Sequence, residues 1–194
     1  MFCIIILTVE LKAIFIVAHF VGILISLFAV IFTDSVLLRG IKARNFDLQM
    51  ISSIVHGSNI VWVGILVIVL SGSGIFLTDS ARYLHASKFL AKMTIVAVLI
   101  INGVVFHRKH IPLLKKTTGQ NLLGSSDFMK GSSSLFTAGA ISIVSWLSAF
   151  ILGSLPSLPY PYWQIVFIYL LALILAVVLA QFSRKRCRRN DSRG

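Results

Sequence analysis

The side chains in this sequence best suited to chemistry are nitrogen donors set in or beside long apolar runs: His19, His56, His85, Lys88, Lys92, His107 and His110. Neutral imidazole is the commonest metal ligand and proton carrier among side chains. An ionisable group held in hydrocarbon is costly enough to mark a site by default. The densest group lies in the stretch 79–112, DSARYLHASKFLAKMTIVAVLIINGVVFHRKHIP, an apolar run with a titratable cluster at each end. Asp79 and Ser80 are N-cap types and Pro112 restricts Ile111, so one helix is expected between them. At about 100° per residue, His85, Lys88 and Lys92 then fall within roughly 60° of one another, and His107 lies about 40° round the same face and about 33 Å further along.

Depth along the apolar runs sorts these donors into sets. His19 sits about 9 Å inside one edge of its run, and Lys92 about 5 Å inside the same edge of another, whereas His85 lies about 6 Å outside it. At the other edge His56 and His107 match in depth, with His110 three residues on, and one metal needs each imidazole nitrogen within about 2 Å. His56, His107 and His110, with Met50 or Met93, therefore form a candidate copper set, since imidazole and thioether suit copper. The competing reading of His107-Arg108-Lys109-His110 is an ordinary basic helix end favoured by the helix dipole. Lys88 can likewise snorkel to the interface.

The elements that position these groups are membrane helices. Of 194 residues, 57% are hydrophobic and 12% charged, with mean hydropathy +0.94, and the apolar residues come in runs longer than a soluble domain carries. Runs of about 18 or more residues give five spans at about 13–33, 54–77, 89–106, 135–155 and 162–182. Their length and lack of alternation exclude barrel strands. The expected fold is an all-α integral membrane protein: residues 1–183 form a single five-transmembrane-helix bundle, and 184–194 a basic cytoplasmic tail.

The net charge of +12 is distributed as in a membrane protein and does not point to nucleic acid. All but Lys12, Arg82, Lys88 and Lys92 of the 18 basic residues fall on one side of the spans. By the positive-inside rule the N-terminus is outside and the C-terminus cytoplasmic, in a plasma or inner membrane. Cys3 and Cys187 then lie on opposite sides, so no intrachain disulfide is expected. The opening MFCIIILTVELK lacks a basic n-region and a small-residue cleavage site, and reads as an extension of the first helix. The tail SRKRCRRNDSRG is expected to be disordered and to associate with anionic inner-leaflet lipid.

Along the chain, His19 shares a face with Gly22, Ser26 and Thr33, a small and polar stripe that admits a flat ligand or another backbone. Ser71-Gly72-Ser73-Gly74 is expected to loosen or kink the second span. Residues 111–134 read as the longest loop. Ser145, Ala149 and Gly153 on the fourth span, and Ala172, Ala176 and Ala180 on the fifth, are packing seams that also suit a homodimer. Neither paired intramembrane carboxylates, an HExxH, zinc-type cysteine spacing, a Ser/His/Asp set nor an inverted repeat is present in the sequence, which argues against a proton-coupled carrier or hydrolase.

LKAIFIVAHFVG in the first span and KFLAKMTIVAVLIINGVVFH in the third resemble the Lys-x-x-(x)-His opening and the Lys-(Leu/Met)-x-(Leu/Ile)-Val helix of two related small membrane families. These are the HemJ-type protoporphyrinogen oxidases and the CopD-like proteins linked to copper. The resemblance covers two of the five spans, and the chain departs from the first family in a fifth helix and a longer loop before the fourth. It implies a b-type haem held by His19 and Lys92, with Lys88 or Arg82 neutralising the propionates. Three functions follow as expectations: a haem-binding redox or electron-transfer protein with a redox partner, using His19 with Lys92 or His56 with His107, or both; a copper-handling protein; or a cofactor-free packing or partner protein.

Overall fold

The computed structural model describes residues 2–120, 122, 125–155 and 158–191, with side chains described over 10–120, 122, 125–155 and 158–186. Among the described residues every regular element is helical: α1 (Phe2–Ala43), α2 (Leu48–Thr78), α3 (Ser80–Leu84), α4 (Ser87–Val105), a π turn (Phe106–His110), α5 (Ile111–Lys116), α6 (Ser126–Ser154) and α7 (Tyr162–Asp191). Five of the helical stretches are long and apolar enough to cross a membrane, which makes this a multi-pass membrane protein. Phe28, Leu66, Phe167, Ile168 and Ile174 are each more than half exposed, the pattern of helices whose outer faces contact lipid.

The α1–α2 hairpin is the tightest part of the bundle. Its small residues let two backbones approach: a Cβ built on Gly22 would lie 3.2 Å from the Gly64 carbonyl, and one on Gly64 would collide with Ser26 Oγ. Thr33 Oγ1 lies over Gly57 in the same way. The stripe below His19 is therefore a helix-packing face. α2 runs unbroken through Ser71-Gly72-Ser73-Gly74, where a Cβ on Gly74 would meet the Phe15 ring at 2.7 Å. The glycines serve close packing there, and no break occurs.

The turn joining α1 to α2 explains why the hairpin closes where it does. Arg44 takes a left-handed φ of 58°, Asn45 N–H donates to Gly40 O and Arg44 N–H to Ile41 O, both at 3.2 Å. This is the Schellman pattern that ends helices. Phe46 then folds back over Gly40 and is fully buried. Asp47 caps α2 by accepting from Met50 N–H at 2.6 Å. Gly119 N–H and Leu122 N–H donate to Phe46 O and Arg44 O, pinning the connection before α6 onto this turn.

Four further expectations from the sequence are corrected. The stretch 79–112 is not one helix: α3 ends at Leu84, His85 caps it, and α4 starts at Ser87 after Ala86, which offers no side-chain cap. The angular relation of His85 to Lys88, Lys92 and His107 along a continuous helix therefore does not hold. Pro112 does not end the third span, because the preceding turn widens to π geometry and Ile111 N–H bonds to Phe106 O. Shifting the carbonyls there relieves the clash a proline ring makes with residue i−4. The expected loop 111–134 shrinks to the segment between Lys116 and Ser126, and an Lys116–Asp127 ion pair at 2.6 Å spans its ends. Finally, α7 continues through the basic segment to Asp191, so residues 184–191 are helical; 192–194, and the side chains of Cys3 and Cys187, lie outside the described residues.

α6 and α7 are joined by polar contacts as well as by apolar packing through Ile165, Val166 and Leu173. Ser145 Oγ and Tyr169 Oη lie 2.7 Å apart. At the basic end Gln181 accepts from Ser133 Oγ at 3.1 Å and donates to Ser133 O at 3.0 Å and Thr137 Oγ1 at 2.9 Å. Arg184 Nε donates to Gln181 Oε1 at 2.9 Å. Ser145 is fully buried, and Ala149 packs between two core clusters, so the α6 seam is used within the chain.

Candidate functional site

At the end of the bundle opposite the basic loops, residues of α1, α2, α3, α4 and α6 line a partly open cavity of about 1040 Å³. Its size is at the upper end of the roughly 300–1,000 Å³ usual for a cofactor or ligand site. His19 from α1 and Lys92 from α4 both line it, with His85 and Lys88 nearby and Arg82 beside them. The antiparallel α1–α2 hairpin fixes the height of His19, and α4, crossing beside α6, carries Lys92 to the same chamber. Most of the remaining wall is apolar: Ile23, Ile65, Ile68, Val69, Val96, Leu99, Ile100 and Phe150.

The local contacts of His19 define its tautomer. Its Nδ1 lies 3.1 Å from Ile68 O and 3.2 Å from Ser71 Oγ. A carbonyl only accepts, and the Ser71 hydroxyl proton is directed to Val67 O at 2.5 Å, so Nδ1 carries the proton and donates to both. In the neutral ring Nε2 is then the lone-pair nitrogen, and it makes no hydrogen bond to any described residue. This is the arrangement by which an outer partner orients a ligating imidazole and sets which nitrogen faces the metal. Gly72 permits it, since a Cβ there would stand 3.3 Å from the His19 ring.

Lys92 is half-buried. Its amine faces α6 at Gly153, where a Cβ would come within 3.5 Å of Nζ, and among the described residues it meets no carboxylate and no hydrogen-bond acceptor. Lys88 Nζ donates to Leu155 O at the end of α6, holding a positive charge at the mouth. Phe76, Tyr83 and Phe89 cluster along the wall: Phe76 and Phe89 stack with centroids 5.6 Å apart at 14°, and Tyr83 leans on Phe89 at 5.4 Å. α3 carries Tyr83 into this group, so the short helix is what closes the wall.

The donors at the basic end are not drawn together in the same way. His56 is exposed and bonds within its own helix, Nδ1 to Ser52 O at 2.8 Å. His107 is exposed and reaches Ser58 Oγ at 3.5 Å; Ser58 is about 200° round α2 from His56. His110 is fully buried, with Nε2 3.5 Å from Ser134 Oγ on α6 and its ring 5.8 Å from that of Phe106. These three histidines meet three different neighbours. Among the described residues no group of three or more His, Cys, Asp or Glu side chains is placed to hold a metal ion. Met93 lines the large cavity at the other end.

Sequence reasoning passed over several residues of this site. Ile68 supplies only its carbonyl, which no residue type advertises, and Gly153 matters only through the lysine that faces it. Asp34, assigned from the sequence to a loop, lies on α1 because that helix continues to Ala43. No family model, curated protein or solved structure matches the chain.

Proposed function

We propose that the protein binds a b-type haem in the large cavity and works as a membrane redox or electron-transfer protein, in which His19 and Lys92 would hold the iron through their side-chain nitrogens. The observation that carries this reading is the state of His19: Nδ1–H is committed to Ile68 O and Ser71 Oγ, leaving a bare Nε2 in the wall of a chamber that Lys92 also lines. The residues present fit the group: two nitrogen donors, an apolar body, an aromatic wall, and cationic Arg82 and Lys88 beside it to meet propionates. Haem supplies reversible one-electron exchange, and the protein tunes it through ligand identity, burial and hydrogen bonds.

Each residue has a separate task. Ile68 and Ser71 hold the imidazole in one tautomer and rotamer. Lys92 can ligate only as the neutral amine, and the absence of a carboxylate beside it favours that form over an ion pair. The apolar wall excludes water. The basic end faces the cytoplasm in this reading, which puts the cavity near the outer surface, where a redox partner can dock; the helical basic segment at the end of α7 then meets anionic inner-leaflet lipid. HemJ-like oxidase chemistry is one use of such a centre. Copper handling draws less support, because His56, His107 and His110 do not converge.

Optical spectra of the purified protein, oxidised and dithionite-reduced, test the proposal. Stoichiometric haem with bands that sharpen on reduction, lost in His19→Ala, is the expected result. A colourless protein that takes up no added haem would overturn it.

A further inference from the structure

A second, smaller cavity of about 70 Å³ lies toward the basic end, between α1, α2, α4 and α6. It is separated from the large one by Ile65, Leu99 and Trp146, which line both and are all buried. Asp34 lines it, and the carboxylate Oδ2 is buried with no hydrogen-bond partner. An unpaired carboxylate in an apolar bundle is costly and is relieved by a cation or by a proton. None of the residues lining the cavity is basic.

The other polar groups around it point to what supplies that charge. Asn102 donates one amide N–H to Ala138 O at 3.0 Å, which fixes the amide and leaves its side-chain carbonyl oxygen, an acceptor, without a partner among the described residues. Thr33 Oγ1 gives its proton to Ala29 O at 2.8 Å, and keeps its lone pairs. Ser58 and Ser142 add two further hydroxyl oxygens to the lining. A carboxylate, an amide carbonyl and three hydroxyls make an all-oxygen donor set, the kind that suits a hard cation. The volume exceeds the roughly 10–15 Å³ needed for one water, so it accommodates a small ion with a water, and falls far short of an organic cation.

We propose that this cavity is a binding site for a single sodium ion, held by Asp34 with Asn102, Ser58 and Ser142 and reached from the basic end. The site is independent of the haem reading: the two cavities share only the apolar partition, and neither His19 nor Lys92 lines the smaller one. Here the ion neutralises Asp34 and ties α1 to α2, α4 and α6.

The test is equilibrium binding of radioactive sodium to the detergent-purified full chain, at fixed pH and constant ionic strength with choline as the replacement cation. Thermal unfolding is followed on the same samples. Saturable binding of about one ion per chain is expected, with a rise in Tm that choline does not give. Binding should be lost in Asp34→Asn and weakened several-fold in Ser142→Ala, a milder change that keeps the test open if Asp34→Asn does not fold. Absence of saturable sodium binding by the unaltered protein would overturn the proposal. So would binding left unchanged by either folded variant, or a Tm that responds to pH and not to sodium, which would make the occupant a proton; His107, which contacts Ser58, is the neighbouring titratable group in that case.

Discussion

His19 Nδ1 lies 3.1 Å from the carbonyl oxygen of Ile68, a residue on the facing helix 49 positions away. The contact joins α1 to α2 and sets the tautomer of the imidazole, so a packing interaction and a ligand-orienting interaction are the same bond. Ser71 is the second acceptor, and its own proton is fixed on Val67 O. Ser71→Ala should leave the fold intact and keep the Ile68 bond, while lowering haem affinity about 10-fold, at the low end of what loss of an outer-shell partner costs. Titration of the apo-protein with haem, read at the Soret band, measures this; unchanged affinity would show that Ser71 takes no part in orienting the ring.

Lys92 should give a different result from His19. His19→Ala removes the oriented ligand, and haem should be lost. Lys92→Ala leaves the imidazole in place, so haem should remain bound with one nitrogen donor fewer, seen as an altered Soret and visible spectrum. Identical spectra for Lys92→Ala and the unaltered protein would remove the amine from the ligand set.

The α1–α2 crossing tolerates no added bulk at Gly64, because a Cβ there runs into Ser26 Oγ and stands 3.1 Å from Gly22 O. Gly64→Val should cost about 1–3 kcal/mol, the usual range for overpacking, and disturb the cavity through Ile65 and Ile68. Gly139, by contrast, has nothing within 4 Å of a built Cβ. Gly139→Ala should be neutral or stabilise by up to about 1 kcal/mol through helix propensity. Comparing the two Tm values in one detergent separates close packing from the general effect of filling a helical glycine.

The five spans were legible in the sequence because length and apolarity are local properties of a run. That His19 and Lys92 line one cavity rests on the same property, since their heights along two runs need only a rise per residue. What escaped depended on geometry between elements. The break at His85–Ala86 carries no proline, glycine or capping side chain at the new start, so a helical count ran straight through it. Pro112 gave a stop signal that the π turn at Phe106–His110 overrides. The extension of α1 past residue 33 brought Asp34 into the bundle, and apolarity alone ends that run before a carboxylate. The pairing of His56 with His107 by depth failed to account for azimuth: matching height on two helices says nothing of which way each ring points.

Gln181 is the last of these cases, a polar residue near the end of a span that reads as almost wholly aliphatic. It closes a network with Ser133, Thr137 and Arg184 in which its amide both donates and accepts. In an apolar surround its replacement by leucine leaves the Ser133 and Thr137 hydroxyls without their α7 partner, and such interhelical hydrogen bonds are worth about 0.6–2 kcal/mol in membrane proteins. Gln181→Leu should therefore lower the Tm of the purified protein, while haem content stays unchanged, because Gln181 lies at the end of the bundle remote from the His19 cavity. A Tm for Gln181→Leu equal to that of the unaltered protein would mean that α6 and α7 are held by Ser145–Tyr169 and the apolar packing around Ile165 and Leu173 alone.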